Sequence, residues 1–379
     1  MGIGYPTLKA WKDILRSSHH DILTWAETQP WAQRMAGCQQ DAAWHAEGDV
    51  WTHTKMVCHA LEELEEWPNL PREEQIILLF TALFHDSGKP QTTMLDPETG
   101  HIRSPKHSIV GEELARGALR DLECDLVTRE AIAALVRYHG RPAFLLDKPV
   151  PEREVIGLSW WLRNRLLHLF ALADARGRKA GETARQEDLL NLWKSTAEEQ
   201  GCYDRPYPFR NDQARFLFFR GKLSSLHYTP REDYRCTVTF MAGLPGAGKD
   251  TWLAQHRPDL PVVSLDEVRE DLGIGPEENQ GPVAQASREA CRQFLRAGRD
   301  FAFNATNVTR RMRERWRFLF ADYSARLEMV YLEPPMNMIL ERNKSRQRVV
   351  PGSVMQWLMA KTEPPTWTEA HTLRWEVGV

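Results

Sequence analysis

The sequence predicts two domains, an all-α domain at the N-terminus and an α/β domain with a parallel sheet at the C-terminus. Three observations predict this. At 379 residues the chain is long for one hydrophobic core. From about Gly48 to Gln200 its apolar residues recur at spacings of three and four, the mark of amphipathic helices. From Cys236 onward short strand-like runs alternate with helical stretches, which implies a parallel sheet covered on both faces. The expected boundaries are 1–200 for the helical domain, 201–232 for a linker with some packed structure, and 233–379 for the α/β domain.

Residues 1–40 read as helical and rich in Trp, with a packing role. Met56, Val57, Ala60, Leu61 and Leu64 trace the apolar face of the first helix of the main body. A second helix is expected from Glu73 to His85, with Pro90 just beyond its end. The turn-rich Asp96-Pro-Glu-Thr-Gly100 leads to a third helix near His107. A fourth ends at Tyr138-His139-Gly140, and a long one covers roughly Val155 to Lys179. The segment Tyr203-Asp-Arg-Pro-Tyr-Pro-Phe-Arg210 then changes character. Strands are expected at 236–242, 261–265, 301–304 and 326–332, with helices filling the gaps.

The composition, 42% hydrophobic and 27% charged, is that of a soluble globular protein. The start, Met1-Gly-Ile-Gly-Tyr-Pro6, lacks the basic and apolar regions of a signal peptide. No apolar run approaches the ~20 residues of a membrane span. The six cysteines are scattered without a C-x-x-C pair, which reads as reduced thiols and a cytoplasmic location. With a formal net charge of −3, any nucleic-acid partner must be held by local basic patches.

The stretch Gly243-Leu-Pro-Gly-Ala-Gly-Lys-Asp-Thr251 follows the apolar run Thr237-Val-Thr-Phe-Met241 and opens a helix expected from Trp252 to His256. A strand, a glycine-rich turn and a helix start form a phosphate cradle. Its backbone N–H groups face the phosphates of an NTP, and Lys249 adds a charge on the β/γ oxygens. The nucleotide-binding residues are therefore Gly243, Gly246, Ala247, Gly248, Lys249, Asp250 and Thr251. Asp250 stands where a Ser or Thr hydroxyl normally holds Mg²⁺, which leaves the metal ligation open, with Asp250 an oxygen that could take Mg²⁺ directly or through water. Thr251 is turned by about 100° from it.

After the second strand of that domain comes Ser264-Leu-Asp266-Glu-Val-Arg269. A carboxylate at the carboxyl end of a strand faces the ligand crevice. Asp266 is placed to take the proton of an attacking hydroxyl, with a helix N-cap as its plainer role. Arg269 grips a neighbouring phosphate of the acceptor. Further on, Arg342 and Arg346 share a helix face and would close over the transferring phosphoryl group; a basic run is otherwise a solvated face.

In the helical half, the informative residues are His53, the pair His85-Asp86, His107, His139 and Asp174. Adjacent helical residues point about 100° apart, so His85 and Asp86 reach one metal from two sides. With His53 and Asp174 they give two imidazoles and two carboxylates around one divalent ion. His107 and His139 complete a second ion, and two ions would hold an attacking hydroxide and neutralise a phosphate. His45, His59 and His101 read as ordinary caps or surface groups.

These residues carry a resemblance. His53, His85-Asp86-Ser-Gly-Lys89 and Ala173-Asp174-Ala-Arg176 resemble the HD phosphohydrolase superfamily over roughly residues 45–190. That resemblance implies an all-α HD-domain fold, one or two divalent transition metals, and hydrolysis of phosphomonoesters or phosphodiesters. It implies His53, His85, Asp86 and Asp174 as ligands of one ion, while His107 and His139 resemble the two-metal members; Lys89 and Arg178 are the phosphate contacts. Gly-x-Pro-Gly-x-Gly-Lys249, Asp266-x-x-Arg269, Ala305-Thr-Asn307 and Arg342-Asn-x-x-Arg346 look like the polynucleotide 5′-kinase branch of P-loop phosphotransferases. So does the closing Lys361-Thr-Glu-Pro-Pro-Thr-Trp-Thr-Glu-Ala-His371. This second resemblance covers roughly 236–375 and implies Lys249 on the phosphates of ATP or another NTP with Mg²⁺. It also implies Asp266 as base, Arg269 on the polynucleotide and Arg346 on the transferring phosphoryl.

The order of the two resembles the bacterial HD-Pnk end-healing enzymes. The resemblance implies RNA repair, with DNA left open: removal of a 2′,3′-cyclic phosphate or a 2′/3′ phosphate, and phosphorylation of a 5′-OH end. An RNA ligase would act on the remade ends, and no membrane is involved. Two other classes stand beside this reading, a mononucleotide phosphohydrolase fused to a small-molecule kinase and a non-catalytic nucleotide-regulated module.

Overall fold

The computed structural model describes residues 8–41, 48–179, 183–275, 278–345 and 349–378, with the backbone alone at 183 and 184. The chain divides into two compact units, Met1–Pro208 and Phe209–Val379.

The first unit opens with α1 (Trp11–Arg16), α2 (His19–Glu27) and α3 (Pro30–Met35). Their Trp11, Trp25 and Trp31 are buried, so the Trp-rich start packs as expected. Next come α4 (Val50–Glu62) and α5 (Arg72–Phe84). Trp11 meets Phe80 of α5 with ring centroids 5.1 Å apart, and Trp31 meets Phe84 at 4.5 Å. Helix α4 starts where Asp49 accepts the Thr52 N–H at 2.8 Å, an N-cap. Helix α5 is buried from Ile76 to Phe84 and packs on α4. The short α6 (Lys89–Thr92) leads into a two-stranded antiparallel hairpin, β1 (Met94–Leu95) and β2 (Ile102–Arg103). The sequence marks only its turn.

Helices α7 (His107–Asp121), α8 (Leu126–Tyr138), α9 (Pro151–Leu158), α10 (Asn164–Arg176) and α11 (Thr183–Glu199) complete the unit. The expected long helix over 155–179 is thus two helices. Between them the Asn164 amide donates to the carbonyls of Val155 at 3.2 Å and Cys202 at 2.8 Å. The Trp160 indole donates to the Tyr207 carbonyl at 3.1 Å. Side chains that satisfy backbone groups at a break favour it over a continuous helix.

The second unit begins with α12 (Asp212–Phe219), inside the stretch expected to link the domains. Its Arg215 donates to the carbonyls of Trp367, Ala370 and His371. Then β3 (Cys236–Ala242), α13 (Lys249–His256), β4 (Val262–Ser264), α14 (Leu265–Asp271), α15 (Gly281–Ala297), β5 (Phe301–Asn304), α16 (Arg310–Asp322), β6 (Ala325–Leu332), α17 (Met336–Ser345), α18 (Gly352–Ala360) and β7 (Thr372–Glu376) follow. The five strands lie in the order β4-β5-β3-β6-β7, all parallel. Phe240, Phe301, Phe303, Trp316 and Phe320 fill the core. The chain runs from β3 to β4 and β5 on one side, then to β6 and β7 on the other. Beside β3 the direction of winding reverses, and a ligand crevice forms at the carboxyl ends of strands there.

Candidate functional site

In the helical unit, the ends of α5 and α8 and the starts of α4 and α7 meet the last turn of α10. His85 and His139 are the residues that close α5 and α8. Carbonyls in the last turn of a helix have no partner of their own. Here they accept from the imidazoles: His85 Nδ1 donates to Ala82 O and His139 Nδ1 to Val136 O, each at 2.8 Å. His107 Nδ1 donates likewise to Ser104 O at 2.8 Å. Because a carbonyl only accepts, the proton sits on Nδ1, and Nε2 is the bare nitrogen in each neutral ring.

Those Nε2 atoms converge with two carboxylates. His53 Nε2 lies 3.0 Å from Asp174 Oδ1, and His85 Nε2 lies 3.9 Å from that oxygen. Asp86 Oδ2 is 3.2 Å from His85 Nε2 and 4.0 Å from His53 Nε2. Its other oxygen is 3.5 Å from His107 Nε2, which is 3.4 Å from His139 Nε2. The ligand atoms thus fall into two groups, His53, His85 and Asp174 on one side and Asp86, His107 and His139 on the other. The sequence placed Asp86 wholly with the first group; the structure sets it between the two, one oxygen toward each. His85 Nε2 is buried with no hydrogen-bond partner, which is costly unless something binds it. Two imidazoles and a carboxylate on each side, with Nε2 bare in His85, His107 and His139, fit a divalent ion of borderline softness.

The electrostatics suit cations. Burial alone would push the Asp86 carboxyl up, but Lys89, His85 and His107 hold it well below its usual range. Burial likewise works against the Asp174 charge, and Arg178 and His53 outweigh it. Burial, reinforced by His107 and His85, presses His139 down to about 3, so this imidazole is neutral at pH 7. Lys89 Nζ lies 2.7 Å from Asp86 Oδ2, and Arg178 Nη2 lies 2.6 Å from Asp174 Oδ2. Both cations line a cavity of about 680 Å³ with Asp86, His107, His139 and Asp174.

One close approach makes this possible. A Cβ on Gly88 would lie 2.1 Å from the carbonyl oxygen of His107. Only glycine lets the first turn of α7 press on the His85–Lys89 turn and carry His107 to Asp86.

In the α/β unit, Gly243, Gly246 and Gly248 have φ of +145°, +84° and +96°, backbone that side chains resist. The loop they form leaves the central strand β3 and ends at α13, which starts at Lys249 rather than Trp252. Ala247 is buried beneath it. Lys249 Nζ donates to the carbonyls of Gly243 and Leu244 at 2.9 and 3.1 Å. Asp250 Oδ1 accepts from the amide of Asn304, the last residue of β5, at 2.5 Å. Thr251 faces elsewhere, into a cavity of about 310 Å³ that it lines with Gly248, Trp252, Gln255 and Arg342.

Asp266 is exposed, its side chain 69% accessible, and is ion-paired with Arg269, whose Nε donates to Gln280 at 2.9 Å. The N-cap of α14 is Ser264, so Asp266 does not serve as the cap. Arg346 lies outside the described residues, as does His45. Arg342, within α17, stands beside the loop: a Cβ on Gly248 would be 3.4 Å from Arg342 Nη1. Sequence reasoning missed Asn304 and Gln40. Gln40 Oε1 accepts from Lys89 at 2.6 Å, a partnership with no motif to announce it.

Two protein families match parts of this chain. The HD domain family matches residues 50–161, a span that holds His53, His85, Asp86, His107 and His139 but stops short of Asp174. The AAA domain family AAA_33 matches residues 238–365, from β3 past the glycine loop to the last helix. The chain joins an HD domain to a P-loop kinase-like domain. HD domains bind divalent metals, and P-loop kinases use an NTP with Mg²⁺.

The CC-adding tRNA nucleotidyltransferase of Thermus thermophilus is 31% identical over 176 residues, 46% of this chain and 36% of that protein. The A-adding tRNA nucleotidyltransferase of Deinococcus radiodurans is 32% identical over 161 residues, 41% of this chain and 36% of its own. The chain thus spans little more than a third of either relative. The L-seryl-tRNA(Sec) kinase of Methanococcus maripaludis is 21% identical over 135 residues, 34% of this chain and 53% of its own. A solved structure of a putative kinase from Chloroflexus aurantiacus aligns with 38% of this chain and 86% of its own at 16% identity and a TM-score of 0.33, too slight a likeness to argue from. Among the described residues no helix is long and apolar enough to cross a membrane.

Proposed function

We propose that this protein repairs broken nucleic-acid ends. In this reading the HD domain hydrolyses a 2′,3′-cyclic phosphate or a terminal 2′/3′ phosphate, and the kinase-like domain phosphorylates a 5′-OH. The observation that carries it is the presence in one chain of two sites built for phosphate chemistry. One is the His/Asp cluster with Lys89 and Arg178. The other is the glycine loop, with Asp266 and Arg269 placed after the next strand, β4.

In the HD domain, His53, His85 and Asp174 would hold one ion and Asp86, His107 and His139 a second. Divalent ions there would supply Lewis-acid stabilisation of the phosphate and would lower the pKa of the attacking water. Lys89 and Arg178 bind the phosphate oxygens and offset the charge that develops on them. Water attacks phosphorus, one ester P–O bond breaks, and the released ribose hydroxyl takes the proton that the water gives up.

In the kinase domain the backbone of Gly243–Gly248 and Lys249 hold the NTP phosphates, and Asp250, oriented by Asn304, is the oxygen donor available to Mg²⁺. Asp266 accepts the proton of the 5′-OH as the O5′–Pγ bond forms and the Pγ–O bond to the departing diphosphate breaks. Arg269 binds the adjacent phosphate of the acceptor, and Arg346 the transferring phosphoryl. The exposure of Asp266 favours an acceptor on a macromolecule over a small alcohol enclosed in a pocket. The names of the relatives, two tRNA nucleotidyltransferases and a tRNA kinase, favour RNA.

The test is one end-labelled RNA bearing 5′-OH and 2′,3′-cyclic phosphate, incubated with NTP and a panel of divalent metals. Both ends are expected to be remade. Lys249→Ala or Asp266→Asn should abolish 5′ phosphorylation and spare 3′ hydrolysis, and His85→Ala or Asp86→Ala should do the reverse. A protein that phosphorylates a free metabolite but ignores the RNA sinks the reading.

A further inference from the structure

The HD cavity has a second, apolar wall that the phosphate chemistry does not use. Directly after His139 the chain makes a 3₁₀ turn, Pro142–Asp147, and at Phe144 its backbone leaves the helical region, with φ −113° and ψ 25°. The Phe144 ring is not folded into the core: the residue is 58% exposed. It nevertheless lines the same cavity as Asp86, Lys89 and His107, with Ala143 beside it and Leu189 of α11 also on the wall. An exposed aromatic side chain on the wall of a cavity that also holds two cations is out of place for packing and suited to stacking.

A polar observation accompanies it. Gln40 is buried and lines this cavity. Its Oε1 accepts from Lys89, while its Nε2 has no partner among the described residues. One cavity therefore offers cations and imidazoles for a phosphate and an aromatic ring for a planar one. Those are the parts of one terminal nucleotide.

We infer that Phe144 is the stacking platform for the nucleobase next to the phosphate hydrolysed in the HD domain. The enzyme thereby recognises a nucleotide end rather than a bare phosphate ester. The inference rests on the hydrolase reading above for the reaction and names the substrate feature that the site reads. Stacking tolerates every base because each has a π-face, so the subsite sorts nucleotide from non-nucleotide, not one base from another.

The test compares an RNA ending in a 2′,3′-cyclic phosphate with the same RNA whose terminal ribose lacks its base. For Phe144→Ala the KM of the base-bearing end should rise about tenfold, with kcat within about twofold. The abasic end should be cut as by the unaltered protein, and Phe144→Trp should restore the preference. Calorimetry with adenosine 2′-monophosphate and ribose 5-phosphate gives a readout without turnover, and Phe144→Ala should weaken only the former. Hydrolysis with an unmoved ratio of base-bearing to abasic ends overturns the inference and leaves the hydrolase reading intact. Absent hydrolysis, with adenosine 2′-monophosphate binding still weakened by Phe144→Ala, upholds the platform and overturns the hydrolase reading.

Discussion

Asp250 takes the position where a hydroxyl is usual in a glycine loop of this kind, and Asn304 donates to its Oδ1. A carboxylate oriented by a second side chain behaves as a metal ligand with an outer shell, and outer-shell losses typically cost about 10- to 100-fold. Asp250→Ala is therefore expected to lower 5′ phosphorylation by at least about tenfold and to raise the Mg²⁺ needed for half activity. Asn304→Ala should shift the Mg²⁺ requirement the same way, more weakly. Initial rates across a Mg²⁺ titration decide it, and an unchanged requirement in Asp250→Ala removes the residue from the metal. The departure at Asp250 was visible in the sequence; its partner was not. Asn304 reaches it from β5, and only the parallel pairing of β3 with β5 brings residues 54 apart in sequence together. The same limit hid Gln40 from Lys89, whereas His85-Asp86 announced themselves because adjacency in sequence was already adjacency in space.

At the scale of elements, the contact of α7 with the His85–Lys89 turn depends on Gly88. Gly88→Ala would force its Cβ into the His107 carbonyl, so α7 must retreat and carry His107 from Asp86. We expect 3′-end hydrolysis to fall about 10- to 100-fold with kinase activity unchanged, measured on the doubly modified RNA. In the other unit, His371 just before β7 accepts the Leu327 N–H at Nδ1 at 2.9 Å and shares Nε2 with Gln213 at 2.8 Å. Burial, helped by Arg326, Arg215 and Arg220, presses its pKa to about 3 from the ordinary 6.5. Between those values the unfolded chain binds a proton that the folded one refuses. Stability should accordingly fall as pH drops from 6.5 toward 3, by up to about 1.4 kcal/mol per pH unit. Denaturant midpoints across that range should fall less steeply for His371→Asn, although that variant starts less stable. Strands β3 and β5 could be placed from the sequence because both are continuous apolar runs. Strand β7 could not: only Leu373 of Thr372–Glu376 is buried, and an edge strand carries no such run.

For the whole molecule, each of the two compact units has its own buried core. Chains cut between Pro208 and Phe209 are expected to keep one activity each, which separate assays of 1–208 and 209–379 would show. Arg313 and Glu369 form a fully buried bidentate pair, at 2.8 and 2.9 Å, that ties α16 to the segment before β7. Arg313→Ala should destabilise the 209–379 unit by about 3–5 kcal/mol, as loss of one partner of a buried pair does, without lowering the HD domain's metal affinity. The imidazoles of that HD domain have a different consequence for the molecule. His85, His107 and His139 are each pinned by a carbonyl three residues earlier, so each ring takes its direction from its own stretch of chain. Such a socket is cut before any ion arrives. Chelation should silence it without melting the helices around it, and one divalent ion should be replaceable by another while circular dichroism stays unchanged.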